Sequence, residues 1–206
     1  AHADIAPNLI AAESASFVAG ESYCNTAANQ SSHGTHVAGT IAAADNGIGT
    51  IGVAPEAKLI AVKVLSAATG SGGFAGIIQG IVYAADHGAD VINMSLGTDL
   101  PRGAGADSND IAELVNATKR AVQYARSQNA LVVAAAGNDG RDLDHDASLV
   151  SFPAQLPGVL SISSTAPLAW AKAPASTFLD NRASYTNYGQ SGISFSAPGG
   201  DFSYPG

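Results

Sequence analysis

The sequence has few charged residues and a single cysteine. Aspartate, glutamate, lysine and arginine make up 13% of the 206 residues, while 46% are hydrophobic. This composition excludes a disordered, highly charged protein and predicts a compact globular domain. Because Cys24 is the one cysteine, a disulfide bond within the chain is excluded, and the thiol is either inert or bridged to another molecule.

Positive charge is scarce as well. Nine lysine and arginine residues stand against 17 aspartate and glutamate residues, which gives a formal net charge of −8. This charge argues against a nucleic acid or an anionic membrane surface as a partner. The sequence also lacks an apolar run of about 18 residues, a secretory leader and an internal repeat. We therefore expect one domain without a membrane-spanning helix.

Short apolar runs alternate with segments of helical periodicity along the chain. The runs have strand length, and the two segments between the first three runs repeat apolar residues at helical spacing. This order predicts an α/β fold: a three-layer, mostly parallel twisted sheet with helices on both faces. Ligands bind beyond the carboxyl ends of the strands in such sheets. The predicted strands are 58–65, 90–96, 130–137, 158–164 and 192–199, and the predicted helices are 74–88 and 109–129, the second capped by Asn109 or Asp110.

Residues 70–75, GSGGFA, match a short dinucleotide-binding pattern. The match lies between a predicted strand and a predicted helix, and Asp90 stands where a ribose-binding acid would be sought. However, residues 66–69 separate the strand from Gly70, so the tight turn that such a site needs is absent. We therefore disfavour a nucleotide-dependent enzyme, which remains an alternative interpretation of the sequence.

His33 lies in the segment QSSHGTHVAGTIAA (30–43), where small residues predict a helix that begins near the histidine. A neutral histidine can accept a hydroxyl proton and return it if a carboxylate orients its other ring nitrogen. Two further interpretations remain open, a histidine that only caps the helix and a metal site shared with His36. Zinc is disfavoured because no third ligand with suitable spacing stands nearby.

Several motifs follow one another in the order SSHGTHVAGTIAA, GIGTIGVAP, LIAVKVL, DVINMSLG and VVAAAGNDG. Their order and spacing resemble the subtilisin-like serine proteases, and SASFVAGESY at 14–23 resembles the secreted bacterial subtilisins. The resemblance runs continuously from Ala6 to Gly199. It implies a subtilisin-like fold, a secreted protein, and a serine endopeptidase that hydrolyses peptide bonds by acyl transfer and is monomeric at full length.

The resemblance also implies which residues form the active site. His33 would be the general base and Asn138 the side-chain donor to the oxyanion, while His36 would have a structural role. Two main-chain segments would bind an extended peptide or protein substrate as an added strand, and a propeptide or an inhibitor would occupy the same groove. Small residues would wall a pocket that favours large apolar or aromatic side chains. The implied substrate-binding residues are Ser71, Gly72, Gly73, Phe74, Ser95, Leu96, Gly97, Ala135 and Gly137.

The segment AADNGIGT (43–50) resembles the calcium loop of the same family. Carbonyl and amide oxygens are ligands that Ca²⁺ prefers, although an ordinary Asn-Gly turn is the alternative. The carboxylate ligand of the family aligns with Asn8, because a second alignment, through HADI to Asp4, does not keep the spacing to SASFV. The implied ligands of a structural Ca²⁺ are Asn8, Ala44, Asn46, Ile48 and Thr50.

The serine nucleophile of the family has no counterpart in these residues. No G-T-S-M-A motif and no G-x-S-x-G elbow occur in the sequence, and we expect the orienting aspartate to precede residue 1. Residues 1–206 are therefore expected to be a partial peptidase domain that is inert alone. The alternative is a non-catalytic peptide-binding relative, but an intact His33 and Asn138 favour the enzyme.

Overall fold

The computed structural model describes residues 2–24, 31–102, 108–167, 175 and 178–201. By its internal contacts the chain divides into two compact units, residues 1–90 and residues 91–206. Each unit combines parallel strands with at least one helix, so the predicted α/β class is confirmed.

The first unit contains two short parallel strands and two helices. Ala15 pairs with Val62 and Ser16 with Lys63. The predicted strand 58–65 therefore forms a ladder over two residues, preceded by an isolated bridge between Leu9 and Leu59. The partner strand is equally short, with two residues. The elements are β1 (Ala15–Ser16), α1 (His33–Ala42), β2 (Val62–Lys63) and α2 (Phe74–Asp86), with 3₁₀ turns at Ala6–Asn8 and Ala11–Glu13.

Helix α2 packs closely against β2 and the residues that follow it. Ile81 is 2% exposed, and a Cβ at Gly80 would lie 2.6 Å from Cγ1 of Val64. The helix reaches its C-cap at His87, and Gly88 follows with φ of 71°. The left-handed conformation at this position is the helix ending that the sequence predicts.

The second unit is built on a five-stranded sheet. Four of its strands correspond to the predicted apolar runs and pair in parallel, with Met94 opposite Ala134 and Val132 opposite Val159. A fifth short strand, Asn181–Arg182, pairs antiparallel to the strand Val159–Ala166, and two further strands form a separate antiparallel pair. The strands are β3 (Val91–Met94), β4 (Thr98–Pro101), β5 (Leu131–Ala135), β6 (Leu149–Phe152), β7 (Val159–Ala166), β8 (Asn181–Arg182) and β9 (Phe195–Pro198).

Helix α3 (Ser108–Ser127) precedes β5 and packs on it. Thr118, Val122 and Ala125 have no exposed surface, and all three belong to the predicted apolar face. The expected cap is wrong, because Asn109 and Asp110 lie inside the first turn. A carboxylate in the first turn still interacts favourably with the helix dipole. In the described part of the chain, no helix has both the length and the apolar character of a membrane span.

Candidate active site

His33 is the first residue of α1 and is exposed to solvent. Its main-chain N–H donates a hydrogen bond to Oγ of Ser31 at 3.4 Å. The N–H of Ser31 donates in turn to the carbonyl oxygen of Ala67 at 3.0 Å, and Ala67 is 5% exposed. The N-terminus of α1 is therefore linked by hydrogen bonds to the loop between β2 and α2, which contains residues 71–73.

The loop between β2 and α2 turns back on itself before the helix begins. Ser66 N–H donates to the carbonyl oxygen of Ser71 at 2.8 Å. A Cβ at Gly72 would lie 2.1 Å from the carbonyl oxygen of Val64, so this position requires glycine for close approach of the main chain. Ser71, Gly72 and Gly73 are exposed, and Phe74 is half-buried at the first position of α2.

Glu21 fixes this loop through its carboxylate. Oε1 accepts a hydrogen bond from the Ser66 hydroxyl at 2.5 Å and Oε2 accepts one from Ala67 N–H at 2.8 Å. Lys63 Nζ lies 3.2 Å from Oε2. The hydrogen bond from Ala67, followed by that from Ser66, holds the pKa of Glu21 below its usual range. Sequence reasoning missed this residue, although a lone lysine inside the apolar run LIAVKVL indicates a nearby carboxylate partner.

Asn138 lies in the second unit, just beyond the carboxyl end of β5. The residue is exposed, and its side chain makes no hydrogen bond to the residues that the structure describes. Gly137 before it has φ of 110°, a conformation that favours glycine. A Cβ at Gly137 would also lie 2.4 Å from Nδ2 of Asn187. The side-chain amide of Asn138 is therefore accessible to a ligand. The main chain that carries it is tightly constrained.

The second predicted main-chain segment, residues 95–97, leaves β3 at the same edge of the sheet. β3 and β5 are parallel neighbours, so the residues beyond their carboxyl ends lie side by side. Oγ of Ser95 accepts a hydrogen bond from Asn93 Nδ2 at 3.0 Å. A Cβ at Gly97 would lie 3.1 Å from the carbonyl oxygen of Phe152. Within this unit the structure therefore brings together Ser95, Leu96, Gly97, Ala135, Gly137 and Asn138.

Comparison with known proteins identifies the family. A family model described as the subtilase family matches residues 1–206. The chain belongs to the subtilase family. Subtilisin Savinase of Lederbergia lenta is 39% identical over 202 residues, which cover 97% of this chain and 62% of that protein. Subtilisin E of Bacillus subtilis (strain 168) is 46% identical over 156 residues, covering 76% of this chain and 36% of that protein.

Solved structures of proteases share the subtilase fold of this chain. The epidermin leader peptide processing serine protease of Staphylococcus aureus, as its S393A mutant, superposes with a TM-score of 0.78 at 26% identity, covering 98% of this chain and 50% of that one. A protease of Pseudoalteromonas arctica gives a TM-score of 0.63 at 36% identity, covering 86% and 46%. These neighbours confirm the predicted subtilisin-like fold. The chain spans between about a third and two thirds of the length of these relatives.

The segment that resembles the subtilase calcium loop faces Asp4. Asp4 is 3% exposed, and its Oδ2 accepts a hydrogen bond from Thr50 N–H at 2.9 Å. The other carboxylate oxygen, Oδ1, is buried without a hydrogen-bond partner among the described residues. Gly49 has φ of 57°, and a Cβ there would lie 2.3 Å from Oδ2. The loop therefore wraps closely around a carboxylate that has one oxygen available.

The side chain of Asn8, one of the expected calcium ligands, has three other hydrogen-bond partners in the structure. Its Nδ2 donates to the carbonyl oxygens of Ala42 at 3.1 Å and Pro55 at 2.6 Å. Its Oδ1 accepts a hydrogen bond from Lys58 Nζ at 2.9 Å. Both polar atoms are thereby used, and an adjacent ammonium group repels a cation. The alignment through HADI to Asp4 fits the structure instead.

The remaining expected ligands lie within the calcium-loop segment itself. Oδ1 of Asn46 accepts a hydrogen bond from Ile48 N–H at 3.1 Å and closes a turn. The carbonyl oxygens of Ala44, Ile48 and Thr50 accept no hydrogen bond from the described residues. A buried carboxylate with an unpartnered oxygen beside unused carbonyl groups is a donor set that suits Ca²⁺. The residues present therefore fit the metal, with Asp4 in place of Asn8.

Proposed function

We propose that this chain is part of a subtilisin-type serine endopeptidase that hydrolyses peptide bonds by acyl transfer. The observation that carries the proposal is the family match over the whole chain, with His33 and Asn138 both at exposed ends of regular elements. The serine would come from residues outside this 206-residue chain, since no G-T-S-M-A motif occurs within it, and by the family resemblance the orienting aspartate would come from outside it too.

The proposed mechanism gives His33 and Asn138 separate roles. As the serine oxygen attacks the scissile carbonyl carbon, His33 accepts the hydroxyl proton and then transfers it to the departing amine nitrogen. Nδ2 of Asn138 donates a hydrogen bond to the oxyanion that forms on the carbonyl oxygen. Water attacks the acyl ester in the second half-reaction, with His33 again accepting and returning a proton.

The proposed substrate is an extended peptide or protein segment. The main chain at 71–73, which is exposed, and at 95–97, which is half-buried at Ser95 and Leu96, would offer hydrogen-bonding groups to a peptide bound by strand addition. The small residues Ala135 and Gly137 leave room for a large apolar or aromatic side chain. A propeptide or an inhibitor would use the same groups. Secretion is proposed from the secreted subtilisins that the chain resembles, and a monomer from the same resemblance.

A structural Ca²⁺ is proposed for the first unit. Asp4 and Asn46 would supply side-chain oxygens, while Ala44, Ile48 and Thr50 would supply carbonyl oxygens. The support is the buried Oδ1 of Asp4, which lacks a partner in the described part of the chain. The bound ion would hold the loop against the residues before β1.

The proposed activity is tested with a fluorophosphonate probe that labels an activated serine. The complete protein that contains this chain should be labelled, and the His33→Ala variant should not be, while the His87→Ala control retains labelling. The 206-residue chain alone should remain unlabelled, because loss of the serine lowers turnover about 10⁶-fold in subtilisin. A complete protein that binds peptides without being labelled would support the non-catalytic alternative, and labelling of the 206-residue chain would contradict the proposal.

A further inference from the structure

Asn187 is a fully buried amide whose hydrogen-bonding capacity is completely used. Its exposed fraction is 0%. Oδ1 accepts hydrogen bonds from the main-chain N–H groups of Asp139 at 3.1 Å and Arg141 at 3.0 Å. Nδ2 donates to the carbonyl oxygen of Ala136 at 2.9 Å and to Oγ of Ser151 at 3.3 Å. An amide has two acceptor and two donor positions, and all four are filled here.

These hydrogen bonds surround Asn138 on both sides without touching it. Ala136 lies before Asn138 and Asp139 directly after it. The main-chain N–H of Asn187 also donates to the carbonyl oxygen of Gly137 at 3.0 Å. Because a Cβ at Gly137 would lie 2.4 Å from Nδ2 of Asn187, the amide occupies the space that a side chain at 137 would need. One residue thus determines the course of the main chain from 136 to 141.

The same amide is linked to the strand that follows residues 95–97. Oγ of Ser151 accepts a hydrogen bond from Arg141 Nη2 at 3.0 Å, and Arg141 forms an ion pair with Asp99. Asp99 and Ser151 are paired residues of β4 and β6. The segment around Asn138 and the strand beyond Gly97 are therefore joined through a single connected set of side chains.

We propose that Asn187 is a positioning residue that holds the amide of Asn138 where the oxyanion forms. The inference rests on the proposed function, because it requires Asn138 to act as the donor. Donors that stabilise an oxyanion are effective when they are fixed in place before the reaction. An exposed side chain on a turn does not fix its own main chain. Asn187 does this for Asn138, since its four amide hydrogen bonds set the main-chain conformation on either side.

The experiment is a double-mutant cycle in the complete protein, with Asn187→Ala, Asn138→Ala and both together. Active sites are titrated with the fluorophosphonate probe, so that kcat refers to folded, active enzyme. We expect Asn187→Ala to lower kcat by about 10-fold or more with KM changed by less than about threefold, within the 10²–10³-fold range known for loss of the donor in subtilisin. In the Asn138→Ala background the same change should lower kcat by less than about threefold.

Thr186→Ala is the matched control. Thr186 is 2% exposed; its hydroxyl accepts a hydrogen bond from Ser164 N–H at 2.9 Å and donates to the main-chain carbonyl oxygen of Asn187 at 3.2 Å, without a hydrogen bond to the Asn187 side-chain amide. This variant should lower the melting temperature while leaving kcat per active site within about twofold. If Asn187→Ala does not fold, Ser151→Ala replaces it in the cycle, because that variant leaves three of the four amide hydrogen bonds in place.

The outcomes separate the inference from the proposed function. Equal losses of kcat in both backgrounds mean that Asn187 acts independently of Asn138, which overturns the inference while the protease activity stands. A complete wild-type protein that the probe does not label overturns the proposed function and the inference with it. A loss of kcat confined to the background that retains Asn138 supports both.

Discussion

Asp4 and Asn8 are close neighbours in sequence, yet burial gives their side chains different roles. Asn8 is 4% exposed, and its side-chain amide forms hydrogen bonds with Ala42, Pro55 and Lys58. Both polar atoms of this amide therefore have partners within the protein. Asp4 is 3% exposed and retains an oxygen with no partner among the described residues. Burying a charged oxygen without a partner is costly, and the proposed Ca²⁺ would compensate for that cost.

Replacement of Asp4 by asparagine should weaken calcium binding by about tenfold or more, because calcium affinity depends on the number of charged ligands. The measurement is calorimetric titration of the calcium-free protein, together with the rise of the melting temperature on addition of Ca²⁺. Asp45→Asn is the matched control, since Asp45 is an exposed carboxylate of the same loop. Equal losses in the two variants, or an unchanged affinity in Asp4→Asn, would rule out Asp4 as a ligand.

At the scale of elements, the sequence predicts strands and helices where side-chain pattern alone is sufficient. The apolar run at 130–137 and the helical period before it become β5 and α3. The pattern fails for β4, whose four residues include Asp99 and Pro101. Asp99 and Pro101 are unfavourable in strands. β4 forms because β6 supplies the hydrogen bonds and Arg141 the ion pair, and neither partner is visible in a local window of sequence.

The loop between β2 and α2, which is proposed to bind substrate, allows a prediction at the scale of an element. Glu21→Gln removes the charge that holds Ser66 and Lys63, so residues 71–73 should become less well ordered. We expect KM for peptide substrates to rise about threefold to tenfold with kcat nearly unchanged, because the lost interaction concerns binding in the ground state and the transition state alike.

Steady-state kinetics of the complete protein measure this effect, with Glu56→Gln as the control for an exposed carboxylate in the same unit. A fall in kcat without a change in KM would show that Glu21 acts on the chemistry instead of the loop.

At the scale of the whole molecule, the contacts that form the candidate sites join residues far apart in the chain. Thr50 bonds to Asp4 across 46 positions, and Asn187 reaches Asp139 across 48. Motifs locate His33 and Asn138 because each lies at the end of one element with a recognisable pattern. They do not locate Asn187, since its role exists only after β5 and the segment before β9 are packed together. The missing information is tertiary packing.

Residues 142–146 contain titratable groups whose tertiary contacts make the stability of the protein depend on pH. The hydroxyl of Ser191 and the N–H groups of Gln190 and Ser191 donate to Asp144. They lower the pKa of Asp144 from its ordinary value of 3.8 to about 2, with the Ser191 hydroxyl the largest cause. Beside it, the hydrogen bond to Asp142 raises the pKa of His145 above its ordinary value of 6.5. Asp144 therefore contributes less stability as the pH falls, whereas His145 contributes less stability as the pH rises.

The free energy of unfolding should fall in acid because Asp144 has a lower pKa in the folded than in the unfolded protein. A depressed folded pKa contributes stability that is fully present above about 3.8 and is lost as the pH falls toward 2. Asp144→Asn removes this contribution, so the variant should melt at a lower temperature than the wild type at pH 6, and the two melting temperatures should converge only as the pH approaches 2. Thermal unfolding of the complete protein between pH 2 and 7 measures the difference, with Asp90→Asn as a control at an exposed carboxylate. A constant gap between wild type and Asp144→Asn across this range would show that the carboxylate stabilises the turn at 190–192 through its shape and not through its charge.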